Sequence, residues 1–460
     1  MEPTTTIRTE LGNFMKQNGL NITQFGLVAD INPGTISGIV TGNRALSVHQ
    51  LDRITATLGH SKGHFYKNYI EDFLSATTPN IRRVRPLLYH CAELDMLDCI
   101  EQVVSLLMEK LAYGDALFTI AEGFFQQGKF AASIILYESI AVGEKKQHSE
   151  RLALCQYRIF MAKQGDDQEI NYQAAIHFED YVERLDDADQ LDALKDLVNT
   201  YRSLRKWGKV NIFAKLMGEK AAIQCGINQQ VKLKRRKKKK TSVNPPFVYW
   251  AYSYLLRAGV CEAQKDYNQA LEYTYTYADL SWVKETDEQT LLWKGRFTEW
   301  AQANTYVNKL LAGDIGVLPD YLSYVTSKKN EVLPALINII EAANQYVFNV
   351  DDALKRFELE IQSLVKQQKR VGVYTQQFMS ERIAHFLQEL ANYNLRRGDY
   401  QEGFKYLINS LEISFTIKSS SKASIIKCVE LFERFKKYAS SGTIDTYQNL
   451  INKVYEIEKS

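Results

Sequence analysis

The chain has 460 residues, 24% of them charged, with a formal net charge of +3. That surplus is local: "KLKRRKKKK" (Lys232 to Lys240) carries eight cations, and removing them turns +3 into −5. No run of ~18 apolar residues is available to span a bilayer, "MEPTTTIRTELGNF" lacks the basic-then-apolar order of a signal peptide, and Cys91, Cys99, Cys155, Cys225, Cys261 and Cys428 follow no CxxC or metal-ligand rhythm. These features predict a cytoplasmic protein with plain core thiols, no membrane contact and no metal.

Length suits two or three domains. Only eight prolines occur, and the apolar residues between them recur with a period near 3.6, so the chain reads as all-α. The first helix fits Ile7 to Gln17, with Leu11, Phe14 and Met15 on one face and Asn18-Gly19 as its stop. Asn21 with Gln24 forms a capping box for a second helix from Ile22 to about Ala29. Phe25, Val28 and Ala29 are expected to face inward, with Gly26 permitting close packing. Asn32 caps a third helix whose first residue is Pro33, where the missing N–H is harmless. It ends near Val40, before Thr41 to Asn43. Ser47 with Gln50 opens a fourth helix through Leu58. A fifth is expected from about Lys62, carrying Phe65, Tyr66, Tyr69, Ile70 and Phe73.

This pattern, and "FGLVADINPGTISGIVTGNR" in particular, resembles the Xre-type, lambda-repressor-like helix-turn-helix domain. The resemblance covers about sixty residues, here assigned to 1–74. It implies a recognition helix presenting Pro33, Gly34, Thr35, Ser37 and Gly38 to the major groove. Small residues there let the backbone approach, and threonine can touch a thymine methyl. Ser37, Asn43 and Arg44 would hold phosphates. Residues 1–75 balance six basic against six acidic side chains. That neutrality leaves open a domain that docks on protein, and makes a DNA-binding monomer dependent on dimerisation. Two half-sites about one helical turn of DNA apart, or a multiple, are then expected.

A linker is expected over 75–86, because Thr78-Pro79 and Arg85-Pro86 discourage helix continuation. From Tyr113 onward the chain repeats. "AEGFFQQGKFAASIILYESI", "EAQKDYNQALEYTYTYA" and "LANYNLRRGDYQEGFKYLINSLEI" each offer a helix, a short turn, an aromatic and then a small residue. They resemble the middle of a tetratricopeptide repeat, whose units must stack to bury their apolar faces. A repeat domain over 87–440 follows, interrupted by a basic loop at 226–246 that reads as a solvated excursion able to grip DNA non-specifically. A capping helix is expected over 441–460. Ile425, Ile426, Val429, Leu431 and Phe432 stripe the helix before it, and Thr443 or Asp445 caps it.

Asn199, Asn304 and Asn344 share a small-or-apolar/Asn/x/Tyr context, and Asn392 sits in a variant of it. In register with the repeats they fall on first helices. Each amide offers a donor and an acceptor, so a ladder of them can bracket the backbone of an extended peptide, with Tyr252, Tyr306 and Tyr346 forming side-chain pockets. Ordinary polar positions in a degenerate repeat would look the same.

The order of the two parts resembles the RRNPP family of peptide-pheromone receptors of Gram-positive bacteria and their phages. It implies a cytoplasmic, homodimeric transcription factor whose groove asparagines map onto Asn199, Asn304, Asn344 and Asn392. A scaffold that binds a partner protein, and a repressor without a ligand, are the alternatives. No HExxH, GxSxG, P-loop or strand-borne GxGxxG occurs. His49, His60, His64, His90, His148, His177 and His385 are scattered, so neither catalysis nor a cofactor is expected.

Overall fold

The computed structural model describes residues 7–41, 43–44, 46–74, 81–108, 113–144, 150–226, 242–328, 331–366, 373–416 and 421–457. Nearly all of them are helical, and no strand occurs among the described residues. The chain separates into two compact units between Leu204 and Arg205. The basic run Lys232–Lys240 lies outside the described residues, as do 75–80.

The first unit holds α1 (Ile7–Gln17), α2 (Ile22–Val28), α3 (Pro33–Val40), α4 (Val48–Thr57), α5 (Tyr66–Tyr69), α6 (Ile81–Glu93), α7 (Leu97–Met108), α8 (Gly114–Gln126), α9 (Phe130–Glu144), α10 (Glu150–Ala162), α11 (Gln168–Glu179) and α12 (Asp187–Ser203). The expected caps form. Asn21 and Gln24 close a capping box, Asn32 accepts from the Gly34 N–H, and Ser47 and Gln50 close a second box. Phe25 and Ala29 are buried, but Val28 is corrected: it is 63% exposed beside Leu27 at 77%. The turn after α2 explains this. Asp30 adopts φ +52°, and the Ile31 N–H bonds back to the Gly26 carbonyl at 2.8 Å. This six-to-one closure aims Gly26, not Val28, at the next helix. Arg53 braces the turn through the Asp30 carbonyl at 2.5 Å.

The fifth helix starts at Tyr66 rather than Lys62, because Gly63 turns the chain at φ +92°, and it passes into a π-helical turn over Ile70–Leu74. Of the expected linker 75–86, residues 81–86 are helical and 75–80 lie outside the described residues. Helix α6 begins at Ile81 and runs through Pro86. Burial of Val84, Leu87, Leu88 and Cys91 on one stripe overrides the local reluctance of Arg85 before a proline. One apolar core runs from Ile7 on α1 to Ile159 on α10. A polar knot crosses it: Tyr66 Oη donates to Asp52 at 2.7 Å, and Asp52 lies 3.0 Å from His90 Nδ1 on α6.

The second unit holds α13 (Trp207–Cys225), α14 (Pro246–Ala263), α15 (Tyr267–Ala278), α16 (Glu288–Leu311), α17 (Leu318–Thr326), α18 (Val332–Tyr346), α19 (Asp351–Arg356), α20 (Glu358–Lys366), α21 (Val373–Arg397), α22 (Tyr400–Thr416), α23 (Ser421–Phe435) and α24 (Ser441–Ile457). Helices pack on their chain neighbours and on the helix two positions away: α14 on α15 and α16, α16 on α18, α21 on α22 and α23. The same local device makes the hairpins in both units. Gly128, Lys265 and Gly398 stand at φ +72°, +62° and +88° in the turns between α8 and α9, α14 and α15, and α21 and α22. After each, an N–H closes five residues back: Lys129 on Phe124, Asp266 on Cys261, Asp399 on Asn394. Near the end Ile426 is corrected to 67% exposed, and Ser440, not Thr443 or Asp445, accepts the Thr443 N–H that opens α24.

A Cβ on Gly26 would lie 2.7 Å from the Ile31 carbonyl oxygen, whereas one on Gly12 in α1 meets nothing within 4 Å. Gly26→Ala is therefore expected to destabilise the full chain by about 1–3 kcal/mol. Gly12→Ala is expected to stabilise it by up to ~1 kcal/mol. Chemical denaturation followed by circular dichroism checks both signs.

Candidate functional site

Two regions gather the residues singled out by sequence. The first is α3 and the loop after it. Asn32, Gly34, Asn43 and Arg44 are exposed, and Pro33, Ser37 and Gly38 are half-buried. Thr35 does not project. It is buried, and its Oγ1 accepts a 2.8 Å bond from Arg44 Nη1. A Cβ on Gly38 would come 2.9 Å from Arg44 Cβ, so Gly38 lets Arg44 lie across the helix. The Arg44 N–H bonds to the Gly38 carbonyl at 2.9 Å. The loop is thus held against α3 by its own cation. The outer surface left for a partner is Asn32, Gly34, Ser37, Asn43 and the outward edge of Arg44.

The second region is in the second unit, on α14, α15, α16, α18 and α21. Asn304 donates from Nδ2 to Tyr277 Oη at 2.9 Å. One turn on, buried Asn308 donates to Glu262 Oε1 at 2.7 Å and to the Asn304 carbonyl at 3.0 Å. Burial lifts the Glu262 carboxyl above the usual carboxylate range, against the pull of Asn308. Asn344 Nδ2 donates to the Glu389 backbone carbonyl at 2.8 Å and to its Oε2 at 2.9 Å, and the Asn344 backbone carbonyl accepts from Arg396 at 2.6 Å. Glu389, Asn392 and Arg396 are three and four residues apart on α21, so they share a face. Asn392 therefore lies on the same face of α21 as the two residues that bond to Asn344.

The amide oxygens of Asn308, Asn344 and Asn392 are buried and have no hydrogen-bond partner. Their neighbours set two of the three orientations. Turning either Asn308 or Asn344 over would press its oxygen against two acceptors and lose both donated bonds. A buried acceptor without a donor costs about 1–3 kcal/mol, and the second unit holds three of them among its described residues.

Other expected contributors take different places. Asn199, half-buried on α12, belongs to the first unit. Tyr252 is half-buried on α14. Tyr306 packs 5.9 Å, centroid to centroid, from both Tyr321 and Tyr324. Tyr346 donates to the Leu311 carbonyl at 2.9 Å and stacks on Phe348. Its hydroxyl serves packing. Asn308, Glu262, Tyr277 and Glu389 were missed by the motif, although Asn308 lies one turn from Asn304 and so on the same helical face.

Among the described residues no group of His, Cys, Asp and Glu is arranged to hold a metal. All six cysteines are free, and burial pushes the Cys155 and Cys225 thiols up to about 12 and Cys428 to about 11, far from a reactive thiolate. No helix among the described residues is long and apolar enough to cross a membrane.

His385 on α21 lies 2.7 Å from Glu341 on α18, three residues before Asn344. The Glu341 hydrogen bond raises the imidazole pKa despite burial. A raised histidine stabilises fully below its unfolded value of about 6.5 and loses that contribution as pH rises through the folded value. The melting temperature of the wild-type chain should therefore fall more between about pH 6 and about pH 8.5 than that of His385→Gln. Parallel pH curves for the two chains would contradict this. No protein-family model matches the chain, and no curated protein matches it in sequence.

Proposed function

We propose that the chain is a cytoplasmic DNA-binding transcriptional regulator, acting as a homodimer, whose second unit takes a short signalling peptide in extended form. The observation that carries the peptide half is the pair of orientation-locked, unpartnered amide oxygens at Asn308 and Asn344, together with the unpartnered one at Asn392. Backbone recognition of this kind gives affinity with little sequence preference, and side-chain contacts add selectivity. The DNA half is supported by the tight α2–α3 turn and the small residues on the outer face of α3. Ligand and DNA are coupled through a population shift. The peptide changes DNA affinity only to the extent that it binds one shape of the protein better than another.

A second reading has its own support. Leu27 and Val28 are exposed side by side on α2, and residues 1–75 carry no net charge. Both features suit docking on a partner protein, with the second unit as a scaffold.

Two measurements separate these. Asn308→Ala and Asn344→Ala should each weaken peptide binding by roughly 5- to 150-fold, the equivalent of about 1–3 kcal/mol, with melting curves kept as the control for folding. Unchanged affinity in both removes the peptide half. Selection of duplexes from a random DNA pool should recover paired half-sites, and Ser37→Ala with Asn43→Ala should weaken binding to them across all sequences. Since both side chains are assigned to phosphates, specificity should be kept. Failure to enrich any sequence, together with loss of a captured partner in Leu27→Ser, would favour the scaffold.

A further inference from the structure

Among the described residues two arginines each lie over two aromatic rings, and they differ in one respect. In the first unit, Arg158 lies over the rings of Phe125 and Tyr157 at 5.3 and 5.6 Å. Its Nε and Nη2 grip both oxygens of Glu122 at 2.8 and 3.2 Å. In the second unit, Arg257 on α14 lies over Tyr273 and Tyr254 at 4.3 and 5.6 Å. Its Nη2 donates to Tyr273 Oη at 2.5 Å, a neutral partner. Its Nε is buried without an acceptor, and no carboxylate among the described residues pairs with it. Trp250 and Trp282 extend the same aromatic cluster, Trp250 lying 5.0 Å from Tyr254 and 5.2 Å from Trp282.

Ring faces attract a guanidinium but do not neutralise it. A half-buried guanidinium whose fork is unfilled favours a planar anion far more than an exposed lysine does. Position supplies the second argument. Tyr273, which touches Arg257, and Tyr277, which touches Asn304, are four residues apart on α15 and so on one face. Tyr273 and Tyr277 stand about one turn (~5.4 Å) apart along α15, so the tyrosine that holds Arg257 neighbours the one that holds Asn304, and Asn304 precedes Asn308 by one turn on α16.

The geometry points to Arg257 as the anchor for a carboxylate, the C-terminal carboxylate of the bound peptide, with Trp250, Tyr254 and Trp282 walling the last, apolar side chain. This rests on the peptide-binding reading and adds its direction: the chain end lies at α14, and the backbone runs on toward α16. A peptide ending in an amide loses the charge that fills the fork.

The test uses the full chain and two synthetic pools of random hexapeptides, one with free C-termini and one amidated, with bound peptides recovered by ultrafiltration and read by mass spectrometry. Wild type is expected to retain free acids roughly tenfold or more over the matching amides. Arg257→Met should retain both equally at the lower level, and Arg257→Lys should fall between, with melting curves showing that both variants fold. Equal recovery of acids and amides by wild type overturns the anchor and leaves peptide binding standing. A preference for acids that survives in Arg257→Met assigns the carboxylate to another cation and also overturns it. Recovery of neither pool overturns the anchor and the peptide-binding reading together.

Discussion

An asparagine amide has one donor end and one acceptor end, and whatever claims the first fixes the second. In the second unit the claim is made by carboxylates. Glu262 takes the Asn308 amide and Glu389 takes that of Asn344. Each glutamate sits on a different helix from its asparagine, so the orientation of the amide becomes a property of the packing. The oxygens left without donors are the consequence. An apolar residue of similar size would avoid that cost.

That packing depends on turns which repeat through the chain. A residue in the left-handed region, followed by an N–H closing five residues back, ends a helix and returns the next one onto it. Glycine fills the position at Gly128 and Gly398, but Lys265 and Asp30 do the same work at positive φ with a side chain attached. Because each turn fixes only its own pair of helices, stability accumulates from neighbours, and changes in one pair reach others through shared faces. The His385–Glu341 pair and the Asn344–Glu389–Arg396 group lie along one such face, between α18 and α21.

Local chemistry made much of this legible in the sequence. The caps at Asn21, Asn32 and Ser47 and the turns at Gly128 and Gly398 are short-range events, and they stand where residue type placed them. What escaped depends on distant neighbours. Val28 fits a buried helical stripe, but the turn at Asp30 rotates it outward. Pro86 reads as a stop, yet the apolar stripe from Val84 to Cys91 carries α6 through it. The motif around Asn304 could not show that its amide meets a tyrosine on another helix, nor that Asn308 is the more buried of the two. Arg257 carried no signal at all, since a missing counter-charge is visible only once the surroundings are assembled.

The central claim is that the unpartnered amide oxygens receive the backbone N–H groups of an extended peptide. Its most direct test is the structure of the full chain bound to a peptide recovered from the hexapeptide pool. The account predicts peptide N–H groups within hydrogen-bonding distance of the Oδ1 atoms of Asn308, Asn344 and Asn392. A peptide seated elsewhere, with those three oxygens capped by the protein's own donors, would contradict it.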